Sequence, residues 1–281
     1  VTFTSSAGTA QTFTMATRAL QYGGTLTITD TAGGTILAKA TLGITGGALA
    51  ISGTVAAGLT STSGVVSVTT VNVSTATAYI GFGSEDWTVS STWTNATTSA
   101  SWERGTGTVT FTSATGGTMT FAGANLSEAE FWSVIFATGA VTSQTFTMAT
   151  RALRWDGDLY IRGTNALTIL AKGSLVLDGL SGTYSGLILD GGFGGAITST
   201  SGNVTVGPNG VNVNDNDSYI DFGSEVWTIL GPWTNSSTSA SWDAGTGTVT
   251  FTSATGGTMT FAGANLAEAE FNSVTFTSSA G

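Results

Sequence analysis

Hydrophobic and hydroxyl side chains alternate along most of this chain. In Thr108-Val-Thr-Phe-Thr112, Val109 and Phe111 fall on one side and three threonines on the other; Thr118-Met-Thr-Phe121 and Thr25-Leu-Thr-Ile-Thr29 follow the same rule. A period of two with β-branched residues is the signature of strands buried on one face only. Val109, Phe111 and their counterparts Val249 and Phe251 are therefore expected to point inward. The segments return about every 10 to 15 residues, broken by glycine pairs such as Gly33-Gly34, Gly116-Gly117 and Gly256-Gly257 that suit turns with positive φ. The one helical signal, Asn125-Leu-Ser-Glu128 repeated as Asn265-Leu-Ala-Glu268, supports a capping box and a single helical turn per unit.

The alternation is itself repeated on a long period. Gln11 to Leu20 recurs unchanged at Gln144 to Leu153, and Gly105 to Phe131 recurs at Gly245 to Phe271 with Ser127 becoming Ala267 as the only change. Val1 to Gly8 returns as Val274 to Gly281. This predicts one repeat unit over 1–133, a second over 134–273, and the opening of a third over 274–281. Long-period arrays bury the faces of each unit against its neighbours. Two all-β architectures fit: a β-solenoid, parallel β-helix-like and built from the two tandem repeats, or a string of β-sandwich domains. The strand cadence runs through Val134 and Val274 without a polar or proline-rich linker, which favours the solenoid, with coils of about 20 to 25 residues.

A resemblance follows from particular residues. Trp93-Thr-Asn95, Ser99-Ala-Ser-Trp102 and Gly105-Thr-Gly-Thr-Val-Thr-Phe111 are repeated as Trp233-Thr-Asn235, Ser239 to Trp242 and Gly245 to Phe251. This cadence resembles that of giant β-strand-repeat surface proteins of bacteria and archaea, over about a quarter of each unit. The resemblance implies an adhesin, surface-layer component or extracellular fibre, and names no ligand.

Composition removes whole classes of chemistry. There is no His and no Cys, so imidazole bases, thiol nucleophiles, disulfides and Cys/His zinc sites are excluded. Seven basic residues against 17 acidic ones give a net charge of −10, which repels nucleic-acid backbones. A cysteine-free, acidic, Thr/Ser/Gly-rich chain points to an extracellular or cell-surface location. No apolar run of about 18 residues is present to insert in a membrane, and no leader opens the chain, which reads as a mature or excised piece.

Candidate sites are few. Asn214, Asp215, Asn216, Asp217 and Asp221 replace the blander residues of the first unit and offer hard oxygen donors to Ca²⁺, the only metal candidate, although a solvated acidic turn explains them better. Asn95 and Asn235 are glycosylation sequons at equivalent places. Trp93 and Trp233 could offer aromatic faces to glycans, against a core-filling role. Ile36 to Lys39 recurs as Ile169 to Lys172, which suits edge lysines or an isopeptide link. Asp178 and Asp190 follow strand-like Leu-Val-Leu and Leu-Ile-Leu, as do carboxylates in polygalacturonase-like hydrolases, but the Gly-His-Gly and Arg-Ile-Lys motifs of that family are absent. Glu128 fits the cap, and Glu130 reads as solvated.

The expectation is therefore structural and not enzymatic: a repeat segment of an extracellular fibre or surface filament. Its partners would be identical copies of itself, added head to tail through a junction formed by Val1, Phe3, Val274 and Phe276. An adhesin or carbohydrate-binding stalk is the alternative, and a polysaccharide hydrolase a weaker one.

Overall fold

The computed structural model describes all residues except 6–8, 16, 31–32, 56, 62, 123–127, 139–142, 149–150, 164–166, 172, 178–184, 192–193, 254–256, 264–265 and 279–281. The described residues form strands joined by turns and bends, without helix. They divide into two compact units, Val1–Ser113 with Gly117–Trp132, and Ala114–Gly116 with Ser133–Gly281. Each unit is a β-solenoid whose coils place parallel strands on three faces. The antiparallel sandwich describes neither unit.

In the first unit, one face stacks Thr2–Ser5, Leu26–Asp30, the far half of Leu42–Gly53, the far half of Val66–Val73, Trp93–Asn95 and Gly117–Phe121. A second face carries Gln11–Thr14, Gly34–Ala38, Gly58–Ser61 and Tyr79–Gly81. The third carries Leu20–Tyr22, the near halves of the two long strands, Trp87–Val89 and Thr108–Phe111. The second unit repeats the plan. Its first face runs from Ser133–Thr138 to Met259–Phe261, and its third from Leu153–Trp155 through Thr248–Ser253 to Ser273–Ser278.

Register converts the alternation into a core. Because neighbouring strands are parallel and in step, inward residues form columns along the stack, as in Leu26, Leu49, Val71, Trp93 and Met119. All five are buried. Val109, Phe111, Val249 and Phe251 point inward as expected, between 0% and 9% exposed. The outward threonines bond one another across strands, as do Thr29 and Ser52 at 3.3 Å.

Coil length is less uniform than the alternation suggests. The chain takes a longer path between the stacked partners Leu175 and Val204 than between Val66 and Trp87, yet both pairs stay in register. The glycine that opens the Gly-Thr-Gly-Thr-Val-Thr-Phe motif marks a close approach between coils. Gly105 has φ of 61°, and a Cβ there would collide with the Gly83 carbonyl oxygen of the coil beneath. Gly245 stands over Gly223 in the same way.

The tryptophans fill the wide part of each core. Phe82 packs against Trp87, Trp102 and Phe131 with centroids 4.9, 5.5 and 5.8 Å apart, and Phe222 against Trp227 at 4.9 Å. Most of these contacts are edge-to-face, the favoured geometry for ring quadrupoles.

Candidate functional site

Of the four junction residues read from the sequence, Phe3, Val274 and Phe276 lie on two edge strands, and Val1 directly precedes the first. The opening strand, Thr2–Ser5, pairs with Leu26–Asp30, placing Phe3 beside Ile28. The closing strand, Ser273–Ser278, pairs with Thr248–Ser253, placing Val274 beside Val249 and Phe276 beside Phe251. Phe276 stacks on Phe251 at 5.4 Å and ends the inward column Trp155, Leu177, Val206, Ile229, Phe251. Phe3 heads the column Ile28, Ile51, Val73 and packs on Phe13 at 5.4 Å.

Equivalent residues of the repeat have opposite exposures. Val134, Phe136, Phe146 and Phe121 are 3% exposed or less. Their counterparts Val1, Val274, Phe276, Phe13 and Phe261 are 57%, 37%, 68%, 38% and 55% exposed. The sequence supplies core residues at places where this chain leaves them uncovered. A recess of about 390 Å³ opens beside the closing strand, lined by Ile229, Phe251, Met259 and Phe276. A second, of about 380 Å³, is lined by Asn235, Phe261, Leu266, Glu268 and Glu270. Phe13 and Phe261 were not singled out from the sequence, whereas Glu270, as the copy of Glu130, was read as a solvated acid.

Burial corrects the glycosylation reading and decides the tryptophans in favour of the core. Asn95 and Asn235 are 0% and 3% exposed and sit in otherwise apolar columns, Asn95 between Val73 and Phe121. The Asn95 amide donates to Glu130 Oε1, and its Oδ1 accepts the Thr97 N–H at 3.0 Å. Asn235 donates to Glu270 at 2.5 Å and accepts from Ser237 N–H at 2.8 Å. A glycan on either amide has no room in the folded coil. Trp93 and Trp233 are both 0% exposed, so neither ring offers a face to a sugar.

Glu130 is likewise not solvated. It is 3% exposed, and its backbone carbonyl accepts the Trp102 indole N–H at 3.0 Å. The copy in the end coil differs: Glu270 makes the same contacts, with Trp242 donating to its carbonyl at 3.0 Å, but is only partly buried. Burial still raises its carboxyl above the usual value, opposed by the Asn235 hydrogen bond.

In the acidic loop, Asp215 accepts the Gly194 N–H at 3.3 Å and the Asp217 N–H at 3.2 Å. Asp221 accepts from Gly223 N–H at 3.1 Å and faces Asp243 across a parallel bridge. Its carboxyl is raised by burial, with Asp243 and Glu225 adding to the rise. Asn214 and Asn216 are exposed, and the Asn216 carbonyl accepts the Thr238 N–H at 2.9 Å. Among the described residues no three acidic side chains gather into a metal cluster.

Asp190 pairs with Arg162 at 2.9 Å, and Arg162 lies 4.5 Å over the Tyr160 ring. Asp178, Lys172, Asn125 and Asn265 lie outside the described residues, while Glu128 faces Arg104 at 3.8 Å. Lys39 is exposed. No described helix is long and apolar enough to cross a membrane.

Compared with known proteins, the chain matches no family model, no curated protein and no solved structure.

Proposed function

We propose that this chain is a structural segment of an extracellular fibre or cell-surface filament, extended head to tail by further coils of the same repeat. One observation carries the reading: Phe276, 68% exposed at the closing end, is the repeat equivalent of Phe136, which is 0% exposed. An uncovered parallel strand with apolar inward residues recruits another strand. Here the repeat itself specifies which residues belong on top. A heterologous contact of this kind does not close on itself and propagates. The role is mechanical, with no reaction assigned.

The acidic, Thr/Ser/Gly-rich composition and the repeat architecture support an extracellular or surface setting. The adhesin alternative loses its aromatic platform with the burial of Trp93 and Trp233. Sedimentation velocity over a wide concentration range tests the proposal. Open-ended growth of the weight-average mass supports it, and a monomer or closed two-fold dimer at every concentration contradicts it.

A further inference from the structure

The two units share their inward columns, and on one face their outward residues differ sharply in chemistry. Gln11 and Ile36 of the first unit correspond to Gln144 and Ile169 of the second, so Thr27 and Thr29 correspond to Tyr160 and Arg162. Register carries the comparison to the next strand, where Thr29 partners Ser52 and Arg162 partners Asp190. Two threonines and a serine in the first unit thus become a phenol, a guanidinium and a carboxylate in the second. All three alternate with the buried Leu159, Ile161 and Leu189 and so point outward.

The new side chains are held in one arrangement. Arg162 Nε donates to both Asp190 carboxylate oxygens, at 2.9 and 3.2 Å, while the guanidinium lies 4.5 Å over the Tyr160 ring. The Tyr160 hydroxyl donates to Asp158 Oδ2 at 3.1 Å, and the Asn209 amide donates to Asp158 Oδ1 at 3.1 Å. Among the described residues the Arg162 Nη groups make no bond, so the four N–H donors of its outer edge remain available. An exposed ion pair of this kind adds little to folding stability, so stability alone does not account for the exchange of hydroxyls for charges.

We infer that this face of the second unit binds a neutral polysaccharide. Each hydroxyl of a sugar both donates and accepts, and a vicinal pair meets guanidinium donors and carboxylate acceptors side by side on Arg162 and Asp190. The C–H face of the sugar ring finds apolar ground on Tyr160 and on the half-buried Ile188, its partner in the outward column. Side chains carried on laddered strands are positioned more tightly than side chains on loops, which suits a flat, extended ligand.

Charge decides between a neutral and an acidic ligand. A guanidinium fork by itself favours a carboxylate or sulfate. Here the one guanidinium is accompanied by Asp190 and, through Tyr160, by Asp158, on a chain of net charge −10. The patch therefore has no excess of positive charge to attract an anion, and the surrounding field repels one. The inference does not depend on the head-to-tail reading.

The repeat supplies a variant whose side chains the fold already accommodates: Tyr160→Thr, Arg162→Thr and Asp190→Ser together install the outward residues of the first unit. The assay is affinity electrophoresis of the whole chain through gels containing dextran, mannan, laminarin, xyloglucan or galactan. Retardation by at least one of them is expected. The triple variant should bind that polysaccharide about tenfold more weakly or worse, the effect of losing hydrogen bonds to charged groups. Arg162→Lys keeps the charge without the planar fork and should weaken binding as well. No retardation in any of these gels, retardation that the triple variant retains in full, or retardation by polygalacturonate alone would overturn the inference, and each of these leaves the head-to-tail reading standing.

Discussion

Alanine at Phe136 and at Phe276 is the same substitution at the same place in the repeat, and the two should behave differently. Phe136 is 0% exposed, so Phe136→Ala removes a filled site and should cost about 3 to 5 kcal/mol of folding stability. Phe276 is 68% exposed. With about a third of the ring covered, and about 1.5 to 3 kcal/mol for full burial of such a side chain, Phe276→Ala should cost only about 0.5 to 1 kcal/mol in the monomer. The difference, about 2 to 4.5 kcal/mol, belongs to the covered state. It should appear as a rise in the concentration required for assembly of at least about tenfold. Urea denaturation at a concentration where the protein sediments as monomer gives the first pair of numbers, and sedimentation against concentration gives the last. The reasoning fails if Phe276→Ala is as damaging as Phe136→Ala in dilute solution, or if it leaves assembly unchanged.

Three further outcomes are expected. Gly105→Ala places a Cβ against the Gly83 carbonyl at φ of 61° and should lower the thermal midpoint by at least about 4 °C, while Gly24→Ala, with open space around it, should be near neutral; equal effects would remove the close coil approach. Burial holds the Glu270 carboxyl above its ordinary 4.5, so the folded state favours the protonated form. That contribution is fully present below 4.5 and lost as pH rises through the raised value, so the midpoint gain on going from about pH 7 to about 4.5 should shrink in Glu270→Gln; an unchanged gain would refute it. Chelator should leave the midpoint unaltered, because Asp215 and Asp221 already accept backbone N–H groups, and a fall on chelation that is abolished by Asp215→Ala would establish a calcium site.

The faces of the solenoid were legible because alternation is a local property: which of Thr108 to Phe111 point inward is decided by a period of two and confirmed by burial. What lay beyond the sequence was whatever depends on stacking. Asn95 and Glu130 are 35 residues apart, and only the coil geometry brings the amide onto the carboxylate. The sequon therefore looked like a surface mark and Glu130 like a solvated acid. Coil length escaped for a related reason, since coils of different length keep the same ladder, as between Leu175 and Val204. The end strands were legible as sequence but not as surface, because identity with Phe136 does not say whether anything covers Phe276.

Fibre diffraction from aligned, concentrated protein tests the fibre reading most directly, since coils stacked along the growth axis place neighbouring strands about 4.8 Å apart in that direction. A meridional reflection at about 4.8 Å is predicted. A reflection at that spacing on the equator, or protein that stays monomeric and cannot be aligned at any concentration, would contradict it.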